Sequence, residues 1–360
     1  MSWLRLIRSD GVGPLTFFAL LERFGSAEAA LSELPALAKS GQRRPITMAP
    51  EGLAEREAEA VAKAGASILI ATDPDYPRPL AAIPDPPPVI TVLGEVAHLS
   101  RDGVGIVGAR NASAVGRRMA STLARELGEA GYVINSGLAR GIDGAAHHAA
   151  LQTGTVAVLA GGVDQIYPPE HRDLYTEIID HGAIVSEVPF GMVARARDFP
   201  KRNRIVSGLS KGVIVVEAAD RSGTLITARL ALEQGREVFA IPGSPLDPRC
   251  EGTNRLIRNG AILTRHTDDV LEGLQTLPGI REPDRTHYTA APLPDAAPSD
   301  RRIWRRQIVE LLGYTPVTRD VLIRETDIPP AYIADILLDL VLDGKVDEAP
   351  GGFTLSTSDN

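Results

Sequence analysis

The sequence predicts an α/β fold on a doubly wound, mostly parallel sheet of the extended Rossmann-like kind, and three strand–glycine–helix transitions carry that reading. The apolar run 104–107 opens into a loop holding Gly108, Arg110, Asn111, Ser113 and Gly116. It then enters a helix whose Met119, Leu123 and Leu127 recur near the 3.6-residue period. A second run, 132–135, opens into Ser136-Gly137-Leu138-Ala139-Arg140-Gly141 ahead of another helix, and a third, 155–159, opens into Ala160-Gly161-Gly162. Strand, glycine loop and helix in repetition make βαβ units.

Taken in order, residues 1–66 read as a small helical module. Leu4, Leu6 and Ile7, then Phe17, Leu20, Leu21 and Phe24, then Leu31, Leu34 and Leu37 fit short amphipathic helices separated by Gly11-Val12-Gly13-Pro14 and Gly25-Ser26. Gly-Val-Gly-Pro looks like a helix-hairpin-helix turn, whose backbone N–H groups can hold DNA phosphates. Few lysines or arginines flank it, which favours a plain tight turn in a small bundle.

Residues 67–276 form the predicted sheet domain. A strand at 67–71 is followed by a proline-rich run, read as extended chain because proline lacks the N–H and restricts its predecessor. A strand at 89–93 is added to the sheet, and further strands are expected at 183–186, 212–217, 237–241 and 261–263. Helices at 225–234 and 254–258 lie between the last of them.

Residues 277–299, rich in proline and polar residues, have linker composition. They precede a C-terminal module at 300–356 with helices at 303–312, 318–325 and 330–342, then Lys345-Val346 and Gly352-Phe353-Thr354-Leu355. Three helices and a two-stranded wing predict a winged helix. Its third helix carries Asp335, Asp339 and Asp343, and 326–344 contains no Lys or Arg. Such a helix is poorly suited to reading DNA and points to a protein partner or to packing on the central domain.

Ligands of such sheets sit beyond the carboxyl ends of the strands, so the chemistry belongs in the loops. Gly108, Gly137 and Gly223 would let backbone N–H groups approach a phosphate, Ser113 would add a hydroxyl, and Arg110 and Arg140 would add charge. Phe-Pro-Lys-Arg-Asn-Arg brings Lys201, Arg202 and Arg204, the densest basic cluster of the domain, beside the stacking face of Phe199. A dinucleotide site is excluded on its pattern. The first loop reads Gly-x-x-Gly-x-Arg-x-x-Ser-x-x-Gly, and Asn135-Ser136 stands where a ribose-binding carboxylate is needed. The P-loop lysine is also missing, against an NTPase.

Asp143, Asp164, Glu187 and Glu217 stand at strand ends or loops, where an acid or base could work. They read better as helix caps and partners of Arg110, Arg140 or Arg202. His147 reads as a structural histidine, and no metal site or catalytic residue is assigned.

Composition narrows the class. With 44% hydrophobic residues the chain can bury a sizeable core, whereas 4% aromatics leave no broad row of stacking rings, so charge and backbone donors must dominate any strand binding. A net charge of −8 argues weakly against nucleic acid, because phosphate binding depends on the local field in a groove. Cys250 is the single cysteine, and no apolar run approaches a membrane span of about 18 residues, which together suit a reducing cytoplasm.

Seven blocks carry a family resemblance: VGARNASAVG (107–116), SGLARGIDGAAH (136–147), AVLAGGVDQIYPPEH (157–171), SEVPFG (186–191), FPKRNRIVSGLS (199–210), VVEAADRSGTLITARLALEQGREVFAIPG (215–243) and GTNRLIRNGA (252–261). In this order they resemble the DNA-processing protein A family, DprA or Smf. The resemblance implies a non-enzymatic, homodimeric single-stranded-DNA binder without cofactor. Such a protein protects incoming strands and helps load the RecA recombinase in natural transformation and recombination. It also implies a sterile-alpha-motif-like N-terminal module. The rival class is a nucleotide enzyme akin to lysine-decarboxylase-like phosphoribohydrolases, of whose glycine-rich loop only Ser222-Gly223-Thr224 and a displaced Glu217 remain. A duplex-reading transcription regulator rests on the C-terminal module alone and is opposed by its acidic helix.

Overall fold

The computed structural model describes residues 1–38, 47–275, 298–349 and 351–356. They fall into two compact units, Met1–Arg56 with Asp284–Asn360, and Glu57–Pro283. Most of the linker expected over 277–299 lies outside the described residues, and a helix already begins at Pro298.

The chain opens with helices α1 (Ser2–Ile7), α2 (Pro14–Phe24) and α3 (Ala27–Ala38), followed by α4 (Leu53–Lys63). Gly11 takes the left-handed backbone (φ 83) that the turn before α2 requires, and Pro14 starts that helix with its φ already set. Gly25 ends α2 in the same left-handed region, its N–H donating to the Leu21 carbonyl. Leu4, Leu6, Phe17, Leu20 and Leu21 form the buried face, with the Trp3 and Phe17 rings 4.9 Å apart.

The second unit is a nine-stranded sheet with helices on its faces. In chain order it runs β1 (Ser67–Ile70), α5 (Arg78–Ala81), β2 (Val89–Gly94), β3 (Gly103–Val107), α6 (Ala114–Glu129), β4 (Val133–Ser136), α7 (Ile142–Ala150), β5 (Thr155–Val158) and α8 (Arg172–His181). It continues through β6 (Ala183–Ser186), α9 (Asp198–Gly208), β7 (Gly212–Val215), α10 (Thr224–Glu233), β8 (Glu237–Ala240), α11 (Glu251–Arg258), β9 (Ile262–Leu263) and α12 (Thr267–Gln275). The strand order is β1-β2-β6-β5-β4-β3-β7-β8-β9; β1 and β2 pair antiparallel, and so do β2 and β6, while the other pairs are parallel. The proline-rich run departs from the extended chain expected of it, because Pro79 sits in the first turn of α5, where its missing N–H costs nothing.

Strands β3 to β7 are buried along their whole length, as a parallel sheet covered on both faces demands. Ile106, Leu123, Leu127, Ile134, Ile214 and Phe239 are fully buried in one cluster, each stabilising the fold by about 1.5–3 kcal/mol. The winding matters for function. From β3 the chain builds outward through β4, β5 and β6, then returns to the other side of β3 with β7, so the switch point lies beyond β3 and β7.

The C-terminal module consists of α13 (Pro298–Leu311), α14 (Arg319–Glu325), α15 (Pro330–Leu342) and the antiparallel wing β10 (Val346–Ala349) and β11 (Gly352–Leu355). Thr318 caps α14 by accepting from the Val321 N–H at 3.3 Å. Leu15 of α2 packs against the core of this module. Asp335 and Asp339 of α15, and Asp343 that ends it, pair with arginines of their own unit. Arg301 donates to Asp335 and to Asp339 (2.7 Å), Arg305 donates to Asp343, and Arg23 of α2 lies 3.1 Å from Asp339 and 3.5 Å from Asp335. Glu348 of the wing accepts from the Leu15 N–H (3.1 Å) and from the N–H and hydroxyl of Thr16. The start of α2 is thus capped by a carboxylate from the wing, an ion-dipole contact no local sequence pattern announces.

Candidate nucleic-acid interface

Two loops and the start of a helix meet at the switch point. The loop after β3 bears Arg110, the loop after β4 bears Arg140, and α9 starts with Asp198-Phe199-Pro200-Lys201. The first two touch directly: the Ile142 N–H donates to the Ala109 carbonyl at 3.3 Å, and a Cβ on Gly141, whose φ is 79, would run into the Ala109 and Arg110 carbonyls. Glycine is required there on both counts.

Arg110 is exposed, and its guanidinium lies over the Phe199 ring, 5.4 Å from the centroid. Tyr167, 50% exposed, meets the same ring edge-on at 5.5 Å. Lys201, two residues beyond Phe199, is exposed, and its side chain has no hydrogen bond or ion pair among the described residues. Arg140 is exposed and paired with Glu170 at 2.6 Å. A cation stacked on one ring, a second ring beside it and a free ammonium are the parts a single-strand site combines: faces for bases and charges for phosphates.

The other residues picked from sequence do different work. Arg202 is only 6% exposed; it donates to the Val158 carbonyl at 2.7 Å, and burial brings its pKa down to about 10. Its guanidinium fills the space beside Gly137, where any Cβ would overlap it, so this glycine serves the arginine rather than a phosphate. Arg204 is 3% exposed, bonded to Glu187 and 3.4 Å from Asp85. Neither cation presents its charge to solvent, and the phosphate contacts expected of them are corrected to internal roles. A helix whose Lys201 faces out carries Arg202 and Arg204 inward, a distinction that a basic run in sequence does not reveal.

Gly108 and Ser113 are corrected in the same way. A Cβ on Gly108 would enter the Ile142 side chain, so Gly108 permits helix packing. Ser113 caps α6, its hydroxyl accepting from the Gly116 N–H at 2.8 Å, and it gives both its own N–H (3.0 Å) and its hydroxyl (2.5 Å) to Glu217. The anion seat at the start of α6 therefore holds a carboxylate of the chain itself. Gly223 has nothing within 4 Å of an added Cβ, so close packing does not require glycine there.

Buried polar groups brace the loops. Asp143 accepts from the N–H groups of Gly137 (3.1 Å) and Ala139 (3.4 Å); burial raises its carboxyl above the usual range against the pull of Arg202. Between them Leu138 holds a left-handed φ of 56 while wholly buried, a strained conformation for a branched residue fixed by its surroundings. The Leu138 carbonyl accepts from His171 Nδ1 at 3.0 Å. His147 donates Nδ1–H to Thr155 (2.7 Å), its Nε2 has no partner among the described residues, and burial holds its pKa at about 3. Among the described residues no group of three or more His, Cys, Asp and Glu could hold a metal ion, and no helix is long and apolar enough to cross a membrane.

Residues 67–275 match the family model described as DNA recombination-mediator protein A. The chain belongs to this family. Residues 1–60 match its DprA-like N-terminal HHH domain and 290–352 its DprA winged helix domain, which favours the hairpin reading of Gly-Val-Gly-Pro over the plain turn. Protein Smf of Escherichia coli is 41% identical over 79% of this chain and 76% of its own length. Protein Smf of Synechocystis is 33% identical over 97% and 96%. Among solved structures, DNA processing protein A of Streptococcus pneumoniae superposes with a TM-score of 0.60 at 34% identity, covering 72% of this chain and 86% of that one. That of Helicobacter pylori, whose structure describes a single-stranded DNA binding mode, gives 0.54 at 31% identity over 58% and 95%.

Proposed function

We propose that this chain binds single-stranded DNA without catalysing a reaction, the strand crossing the loop ends at the switch point. The observation that carries the reading is Arg110 stacked on Phe199, with Tyr167 on the same ring and Lys201, two residues further along α9, exposed and without a partner among the described residues. Rings take bases of any identity and cations take phosphates, so the contact is sequence-tolerant and salt-sensitive. The single-strand binding described for the Helicobacter pylori relative supports it. Arg140 joins as a third contact once phosphate displaces Glu170. Protection of incoming strands, loading of RecA during natural transformation and recombination, homodimerisation and a cytoplasmic location follow from family membership and are part of the same proposal.

The rival nucleotide-enzyme reading is opposed by Glu217. It is bonded to Ser113 at the seat a nucleotide phosphate would take, which repels that phosphate and leaves the carboxylate engaged. Fluorescence anisotropy with labelled oligothymidine and with duplex of equal length tests the proposal. Tighter binding to the single strand, with no base released on incubation with nucleotides, is the expected result; preference for duplex overturns it.

A further inference from the structure

Beside the crevice, α6, α7 and His171 line an open groove of about 430 Å³. Its lining is basic: Arg117 and Arg118 from α6, His148 from α7, and His171 before α8, with Ser121 and Gly144 between them. None of these four side chains is used by the crevice. Arg117 donates one Nη to the Ala112 carbonyl at 2.6 Å and keeps its other donors. Arg118 is exposed, with no hydrogen bond or ion pair among the described residues. His171 spends Nδ1 on the Leu138 carbonyl, so Nε2 is the nitrogen left over, and that ring takes the space where Gly144 lacks a Cβ. Glu177 lies 3.8 Å from His148, and Glu170, which precedes His171, is paired with Arg140.

The groove is continuous with the loop that bears Arg110. Gly141 lines it and at the same time packs against the Ala109 and Arg110 carbonyls, so a chain leaving Arg110 over this glycine arrives between α6 and α7. Both helices begin at the loops after the parallel strands β3 and β4, so the positive ends of their dipoles lie at the same edge of the sheet as the Arg110 loop. The start of α6 itself is closed by Glu217, so the anion is offered side chains along the groove instead of the helix end.

We propose that this groove is a second stretch of the track, holding the phosphates of the same single strand after it leaves the Arg110–Phe199 crevice, with Arg118 and His148 as its principal contacts. The inference rests on the single-strand reading above. With no Phe, Tyr or Trp in its lining, the groove is built to hold backbone rather than to stack bases. It engages only strands long enough to extend past the crevice.

The test is strand length. Full-length protein is titrated with oligothymidine of about six and of about twenty nucleotides over a salt series, as wild type, as Arg118→Ala/His148→Ala, as Arg118→Glu, and as Arg110→Ala/Lys201→Ala. The groove variants should bind the short strand as wild type does. On the long strand, Arg118→Ala/His148→Ala should lose about fivefold near 0.1 M salt, and its slope of log affinity against log salt should flatten by about 0.7 for each phosphate no longer held. Arg118→Glu should lose more. Equal loss on both lengths, or no loss on either with the melting curve unchanged, overturns the groove as a second stretch. The crevice variant should fail on both lengths; if it binds both normally, the crevice reading fails independently of the groove.

Discussion

Glu217 and Ser113, 104 residues apart in sequence, are joined by two hydrogen bonds, from the Ser113 N–H at 3.0 Å and its hydroxyl at 2.5 Å. A carboxylate from the loop after β7 thereby caps the helix after β3, in the position where related sheet folds hold a phosphate. Replacing Ser113 by alanine removes a helix cap and one partner of Glu217, and should cost about 1–3 kcal/mol in urea unfolding. Glu217→Ala should turn the seat into an anion site. Inorganic phosphate at about ten times its dissociation constant then adds about 1.4 kcal/mol to the variant and leaves wild type unmoved. Equal responses in both proteins would contradict the capping role.

Gly137 and Gly223 look alike in sequence and differ in the structure. A methyl on Gly137 overlaps the buried Arg202 guanidinium, which is anchored to Val158 and cannot move aside cheaply. Gly137→Ala should destabilise by about 1–3 kcal/mol, the usual cost of overpacking. Gly223→Ala meets open space and has φ −58, so it should change stability by less than about 1 kcal/mol. Thermal melts of the two variants, measured together, check the contrast.

His147 predicts an acid limb. Its pKa is held near 3 in the folded protein by burial, against an ordinary 6.5, so below 6.5 the unfolded chain takes up a proton that the folded chain refuses. Stability contributed by the neutral ring is complete above pH 6.5 and is lost as pH falls toward 3, by about 1.4 kcal/mol per unit and about 2 kcal/mol at pH 5. In His147→Gln the difference from wild type between pH 7 and pH 5 should shrink by that amount. Parallel stability curves for the two proteins would contradict it.

The acidic helix α15 predicts coupling within its own unit. Asp335 is 7% exposed between Arg301 and Arg23, so Asp335→Ala removes the more buried of the two carboxylates these arginines share and leaves them Asp339 alone. A loss of about 1–3 kcal/mol in the unfolding of this unit is expected, with faster proteolysis of the N-terminal helices than in wild type. Removing 298–360 should loosen the same helices, because Glu348 caps α2 and Leu15 packs on the module's core.

Much of the fold was legible in the sequence. Runs of buried residues ending in glycine marked β3, β4 and β5, and the winged helix followed from Thr318, Pro330 and the wing residues. The site was legible only in part. Sequence pointed to the loops that the proposed strand path uses, yet it could not tell the exposed Lys201 from the buried Arg202 and Arg204, since inside and outside on α9 depend on what packs against it. Tyr167 escapes a sequence reading because a lone aromatic in a proline-rich turn carries no period. The Glu217–Ser113 and Glu348–Thr16 contacts join distant segments, and no local pattern encodes them.

The most direct test of the central claim is the salt dependence of single-strand affinity in Arg110→Ala/Lys201→Ala. If these two exposed cations meet phosphates at the switch point, the slope of log affinity against log salt should flatten by about 1.4, roughly 0.7 for each, while the melting temperature stays that of wild type. An unchanged slope and affinity in a folded variant would place the strand elsewhere on the molecule.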